Sequence, residues 1–439
     1  MTEKRRRSSR IYFGWWMNIV SSIVTGLGSG FSHEGFSALF KPLAAELGFS
    51  RAVTSVASSI RGLEFGIMAP ATGWLVDRYG PRYVIAAGVF LMGAGMILMN
   101  FISSVWEYYI VWGVIVGIGS TLGITIAIDK ALTDWFVSKR GLAVAVRFVL
   151  IGIITVIVLP IITWMLTKWG WRITCVIWGM VMLASIPFIS FFVKQKRPEY
   201  YGLLPDGFEV ESDSRGTAGL IEKGIEYAAN FQEIEFTLRQ AMRTPAFWML
   251  IMANSAGFIA AWGFSLHCIP FITDMGISPA IAGSMMAMMI FFTIPSRFLC
   301  GFFSDRIPKD RLQLLMAAAY LFQTLGIVSF LFYQTITMVY VFLILMGFGS
   351  GAVRPLLIII RGRYFGRKAY GSIEGASVLL ETPLSLLAPV YAGWTYDTTG
   401  SYITAFNLFA GLAAFATFVM FLIRPPRLND NIVDVSKLL

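Results

Sequence analysis

Glu34, Arg61, Glu64, Asp129, Lys130, Arg147, Arg297, Arg354 and Glu381 all fall inside long apolar runs of the sequence. A charge in hydrocarbon costs about 2.5 to 3.5 kcal/mol on insertion scales, so each is a candidate for handling a charged solute or a proton. Covalent chemistry has no comparable support. The chain shows no metal-spaced His/Cys set, nucleophile elbow or phosphate loop, so an enzyme, a metal site, a cofactor and ATP-driven transport are not expected.

Spacing sorts these charges. Arg61 and Glu64 lie three residues apart on one helix face and are expected to neutralise each other, as a structural or gating pair. Asp129 and Arg147 flank the turn at 135–140 almost symmetrically, which predicts an interhelical ion pair with Lys130 facing the inner mouth. Arg297 and Arg354 are then left as uncompensated cations, with Glu34 and Glu381 as isolated acids. Such a cavity prefers an anion, and an isolated carboxyl in a low-dielectric site can carry a proton. Glu381 is the first choice for that role and Glu34 the second; the other reading is an acid that merely pairs with Arg354 or Arg297. Arg297 lies about one helical turn before Gly301, on a face that can meet the cavity, and a guanidinium can grip a carboxylate by two parallel hydrogen bonds. It is read as the principal substrate residue, or else as an extension of an inner-loop charge cluster. His33, His267, Asn18, Asn254 and Tyr391 are secondary polar candidates.

The elements that hold these residues follow from composition. With 56% hydrophobic and 14% charged residues, the chain is far from the roughly 25% charged content of a soluble domain. Twelve apolar runs reach the roughly 20 residues that a membrane-spanning helix needs: 11–40, 51–76, 83–103, 106–131, 139–167, 171–193, 245–273, 279–304, 312–333, 335–360, 369–396 and 402–423. Strand alternation is absent, so the predicted fold is an all-α membrane protein rather than a barrel. The first run is too long for a cleaved signal segment and is read as a membrane helix. Most of the 35 Lys and Arg fall on one side, while Lys41, Arg51, Lys168 and Arg172 fall on the other; this places both termini in the cytoplasm of a multi-pass plasma-membrane protein. The net charge of +10 then reflects basic loops against an anionic leaflet, with lipid rather than nucleic acid as the partner. Cys175, Cys268 and Cys300 are read as packing residues.

The runs form a repeat. Gly73, Asp77 and Arg78 recur as Gly301, Asp305 and Arg306, Gly117 and Gly119 recur as Gly347 and Gly349, and Trp16 and Trp248 open the two halves, all at an offset of roughly 230 residues. The predicted organisation is a six-helix bundle at 1–193, a cytoplasmic linker at 194–244 and a second bundle with a short tail at 245–439. Repeats related by an axis along the membrane normal place a substrate site between the halves near the midplane.

The loop after the second run, with Gly73, Asp77, Arg78, Gly80 and Arg82 in GWLVDRYGPR, resembles the signature loop of the major facilitator superfamily. Physically, its glycines allow close helix contact, while Asp77 and the arginines can form an inner-face charge cluster that breaks as the halves rock. FGWW at 13–16, ALFKPLAAELGFSRA at 38–52, WFVSKRGLA at 135–143, RPEYYGLLPDG at 197–207, HCIPFITDMGIS at 267–278 and RYFGRKAYGS at 363–372 resemble the monocarboxylate porter and oxalate/formate antiporter branch. The resemblance implies two pseudo-symmetric six-helix bundles and assigns Arg297 the role of the carboxylate-binding arginine of the eighth helix. It also exposes departures. The first-helix lysine of that branch falls at Glu34, the acid one turn before the arginine falls at Thr293, and the eleventh helix carries Glu381 in place of the exchanger's lysine. The expected function is proton-coupled symport of a small organic anion, plausibly a monocarboxylate, by a functional monomer. The alternatives are an organic anion exchanger, an efflux carrier for amphipathic compounds or, remotely, a nontransporting membrane sensor.

Overall fold

In the computed structural model, residues 11–48, 51–208, 216–231, 233–332 and 335–426 are described, and the side chains of Glu34 and His267 lie outside the described residues. Each of the twelve apolar runs is helical, and no strand occurs among the described residues. α1 (Phe13–Ser29) continues through a π-helical turn (Gly30–Glu34) into a further helix (Phe36–Leu47). α2 (Arg51–Tyr79) and α3 (Pro81–Leu98) follow, divided by Gly80 at φ 80°. α4 spans Val105–Trp135; it opens on a capping box between Ser104 and Glu107 and breaks at Thr125 (φ −120°, ψ −108°). The Arg140–Ala184 segment comprises two helices, α5 and α6, divided at Gly170, whose φ of 76° only glycine adopts freely.

In the second half lie α7 (Pro245–Asp274), α8 (Pro279–Ser304), α9 (Leu312–Phe332), α10 (Ile336–Phe365), α11 (Tyr370–Thr399) and α12 (Ile403–Leu422). Thr244, Ser278 and Thr335 cap three of these by accepting a backbone N–H with the side-chain oxygen. The polar segment between the halves carries a helix of its own (Gly216–Ala229).

α10 runs past the predicted end at 360. Arg361 and Arg363 lower the hydropathy there, but both side chains are buried among protein groups, and the helix stops only at Gly366 (φ 77°). Large apolar side chains such as Phe101, Trp106, Val156 and Phe332 face outward, as a lipid-facing surface requires.

Each half has its own core. In the first, Phe31 stacks on Trp178 with ring centres 5.6 Å apart, beside Trp112 and Met182. In the second, Phe264 meets Phe342 at 4.2 Å. The halves meet along α2 with α11 and α5 with α8. Glycines set that approach: a Cβ on Gly73 would lie 2.0 Å from the Gly371 carbonyl oxygen, and one on Gly301 would lie 2.4 Å from that of Gly141.

Candidate functional site

A ladder of alternating charges crosses from the first half to the second inside the membrane region. It begins on α5, where Arg147 donates to Asp129 of α4. The break at Thr125 assists this geometry, because it leaves the Ile124 carbonyl within 3.3 Å of the second Arg147 amine. Asp129 then accepts from Arg354 of α10 at 3.2 Å, and Arg354 donates to Glu374 of α11 at 3.0 Å. Glu374 accepts from Arg361 at 2.7 Å, and Arg361 also donates to Glu381. The far end is held by α7 and α9: Asn254 donates to Glu381 at 2.7 Å, and Tyr320 donates to the Asn254 carbonyl at 3.1 Å.

Three guanidiniums and three carboxylates thus balance one another. Most are buried, but the Arg354 side chain is 37% exposed. An excess of charge anywhere along the ladder can meet a solute there.

This arrangement corrects two expectations. Arg354 is not an uncompensated cation, and Glu381 is not an isolated acid. The correcting partners are Arg361 and Glu374, neither of which the reading of apolar runs singled out. Arg361 fell just beyond the tenth run, and Glu374 sits one turn into the eleventh. A signal was present, however. Arg354 and Arg361 are about two helical turns apart on α10, as are Glu374 and Glu381 on α11, so the cations and acids line facing stripes of neighbouring helices.

Arg297 stands apart from this ladder, on the α5–α8 contact. Its guanidinium lies 5.8 Å from the Phe148 ring centre, and Nη1 is 3.9 Å from the point where a Cβ on Gly152 would stand. Arg61 and Glu64 share a face of α2 but bond to different groups. Arg61 donates to the Ser32 carbonyl at 2.5 Å and lies over the Trp112 ring, while Glu64 accepts from Thr121 at 3.2 Å. Lys130 lies between Asp134 at 2.8 Å and Asp77 at 3.8 Å, and also donates to the Arg367 carbonyl.

The basic end of the bundle holds the duplicated loop residues. Asp77 accepts from the Gly371 and Ser372 amides at 3.1 and 2.7 Å, and Asp305 accepts from the Gly141 and Leu142 amides at 2.7 and 2.8 Å. Each carboxylate therefore caps the N-terminus of a helix in the opposite half, where unsatisfied N–H groups and the helix dipole favour an anion. The charge cluster expected of Asp77 with the loop arginines is replaced by these amide contacts, with Lys130 3.8 Å away. Arg78 lies over the Trp74 and Tyr79 rings and Arg306 over Phe302, while Arg82 is half-buried in the first turn of α3. Burial pushes the Asp305 carboxyl up to about 6 even though both amides favour its charged form.

Linker residues join the same face. Asp206 (φ 63°) accepts from the Ser138 and Lys139 amides at 2.8 and 3.1 Å, Glu233 accepts from Arg140 at 2.5 Å, Glu199 accepts from Arg367 at 3.1 Å, and Glu235 accepts from the Lys368 amide.

The sequence matches the family model described as Major Facilitator Superfamily over residues 19–382. Among curated relatives, monocarboxylate transporter 13 of Rattus norvegicus is 24% identical over 404 residues, covering 90% of this chain and 85% of that protein. A Bacillus subtilis MFS-type transporter, YcxA, is 21% identical over 418 residues, covering 93% and 95%. Among solved structures, a bacterial homologue of the iron transporter ferroportin in an outward-facing state superposes with a TM-score of 0.70 at 16% identity, covering 94% of this chain and 99% of that one.

Proposed function

We propose that this chain, which belongs to the Major Facilitator Superfamily, is a proton-coupled symporter of a small organic anion, a monocarboxylate by class. It is a membrane transporter and not an enzyme. The observation that carries the proposal is the balanced ladder from Arg147 to Glu381. With Glu381 charged, the ladder has no net charge to offer a solute. A proton on Glu381 leaves one guanidinium in excess, and the half-exposed Arg354 is where an entering carboxylate meets it. Arg354 stands about two helical turns, roughly 10 Å, from the Arg361 that Glu381 holds, and at an effective dielectric of 20 unit charges that far apart interact by roughly 1.5 to 2 kcal/mol, so proton and anion each favour the other's binding. Arg297, on the interface between the halves, supplies the second grip on the carboxylate. The rat relative, by name a monocarboxylate transporter, agrees with that substrate class.

The cycle is alternating access between bundles at 1–193 and 245–439, joined by the linker at 194–244. In this reading the basic end, with both termini, lies in the cytoplasm of a plasma-membrane protein that works as a monomer. Uptake of radiolabelled lactate or pyruvate into proteoliposomes rises with an inward proton gradient, and Arg297→Ala abolishes it. Undiminished uptake in that variant overturns the role of Arg297, and uptake indifferent to the gradient overturns symport in favour of exchange.

A further inference from the structure

We infer that Asn254 and Tyr320 are positioning residues for the proton, and that together they set how readily Glu381 takes it up and gives it back. Under the symport reading, on which this role rests, one oxygen of Glu381 carries the proton. In a buried site that O–H needs an acceptor.

The two partners of Glu381 differ in this respect. Arg361 donates to Oε1, and a guanidinium has five donors and no acceptor, so this contact survives only while that oxygen stays bare. Asn254 donates to Oε2 with Nδ2 at 2.7 Å, but its amide carries an acceptor oxygen as well. With its amide reversed, Asn254 offers Oδ1 to a protonated Oε2. Glu381 therefore takes its proton on the Asn254 side, and the amide turns as it does so.

Tyr320 opposes that turn. Its hydroxyl donates to Oδ1 of Asn254 at 3.1 Å, so the chain runs from Tyr320 through Asn254 to Glu381 with a donor and an acceptor at each link. In the reverse direction Nδ2 of Asn254 donates to the Tyr320 oxygen, and the Tyr320 O–H gives up its acceptor. Asn254 is 6% exposed and Tyr320 is fully buried, which keeps water from replacing the lost bond. The hydroxyl thus weights the amide toward the charged form of Glu381 and keeps the proton from being held too firmly to leave.

The packing is built for this contact. Gly257, about one turn beyond Asn254 on α7, gives the Tyr320 ring its room, because a Cβ there would collide with Cε1 of the ring. α9 packs chiefly on α10 and α12, so Tyr320 acts on the proton through Asn254. The charges around Glu381 are Arg361 and, further along the ladder, Arg354 and Glu374. α2, packed on α11 at Gly66 and Thr382, turns Arg61 to Ser32 and Glu64 to Thr121. α9 and α12 carry no ionisable Asp, Glu, Lys, Arg or His, and those of α7, His267 and Asp274, lie more than three turns from Asn254.

Two measurements on the full-length protein in proteoliposomes test this. One is an infrared pH titration of the protonated-carboxyl band that Glu381→Gln removes; the other is the pH profile of lactate uptake. Tyr320→Phe is expected to raise the half-titration point of the band by about one pH unit, a tenfold gain in proton affinity, and to move the uptake profile with it. Gly257→Ala, which displaces the ring by contact alone, should shift both in the same direction. Asn254→Leu should shift them too, and Tyr320→Phe on that background should add nothing. An unmoved half-titration point in Tyr320→Phe overturns the role, whatever happens to the maximal rate. So does a shift that persists in full on the Asn254→Leu background. Uptake indifferent to pH while the band still shifts overturns symport and leaves the positioning role standing. If Glu381→Gln removes no band, Glu381 never holds a proton and both fail.

Discussion

Arg354 of the second half lies 3.2 Å from Asp129 of the first, and this contact joins the charges of the two bundles into one ladder. Asp129 also holds Arg147, so it serves two guanidiniums at once. Removing one partner of a buried ion pair costs about 3 to 5 kcal/mol, because the other charge stays behind without compensation. Asp129→Asn is therefore expected to lower the melting temperature in detergent and to reduce uptake sharply. Arg147→Met with Asp129→Leu, which removes both charges, should recover much of the stability but not the uptake. A double variant as unstable as the single one would show that the pair acts through packing instead.

The proton role of Glu381 separates two modes of transport. Glu381→Gln keeps the size and one acceptor oxygen for Asn254 or Arg361, and fixes the group in its neutral form. Proton-driven accumulation should vanish, while counterflow of labelled against unlabelled substrate persists. Loss of both modes would make Glu381 a structural partner of Arg361.

The glycine contacts on the basic face predict a steric lock. A Cβ on Gly301 would stand 2.4 Å from the Gly141 carbonyl oxygen, a backbone atom that cannot turn aside. Gly301→Ala should hold the face open. Ser304, fully buried beside Gly141, reports this: alkylation of Ser304→Cys by a membrane-permeant maleimide should speed up several-fold in the Gly301→Ala background. An unchanged rate would mean that the helices absorb the methyl group elsewhere.

Much of this was legible in the sequence, and the limits have physical causes. Twelve helices could be read because a lipid-spanning helix must be apolar over its length, and the duplicated Asp77 and Asp305 marked the face where the halves meet. The ladder was half hidden. Hydropathy ends where charge begins, so Arg361 read as loop although the helix carries it inward, and Glu374 became visible as a partner only once α10 and α11 were adjacent. The carboxylates Asp77 and Asp305 were recognised as functional, but their partners are backbone amides, which side-chain identity does not reveal.

The linker turn at Asp206 predicts a graded mutational series. Its φ of 63° suits Asp, Asn or Gly, and its carboxylate accepts from the Ser138 and Lys139 amides and from the Tyr227 hydroxyl at 3.0 Å. Asp206→Ala loses the bonds and strains the backbone, and should cost about 2 to 4 kcal/mol. Asp206→Asn keeps the backbone and one acceptor, so its loss in a chemical denaturation series should be about half as large. Equal losses would assign the whole effect to the charge.

Acid should favour closure of the basic face through Asp305. Burial raises this carboxyl to about 6 where it caps α5, against an ordinary value near 3.8 once the face opens to water. Closure then takes up a proton between those values. The stabilising effect is complete below about pH 3.8 and is lost as the pH rises through about 6. Spin labels on the basic ends of α5 and α8 should report a shorter mean distance at pH 5 than at pH 7.5, and Asp305→Asn should abolish the difference. A wild-type distance that lengthens on acidification would reverse the sign and imply that the open face, not the closed one, holds the proton.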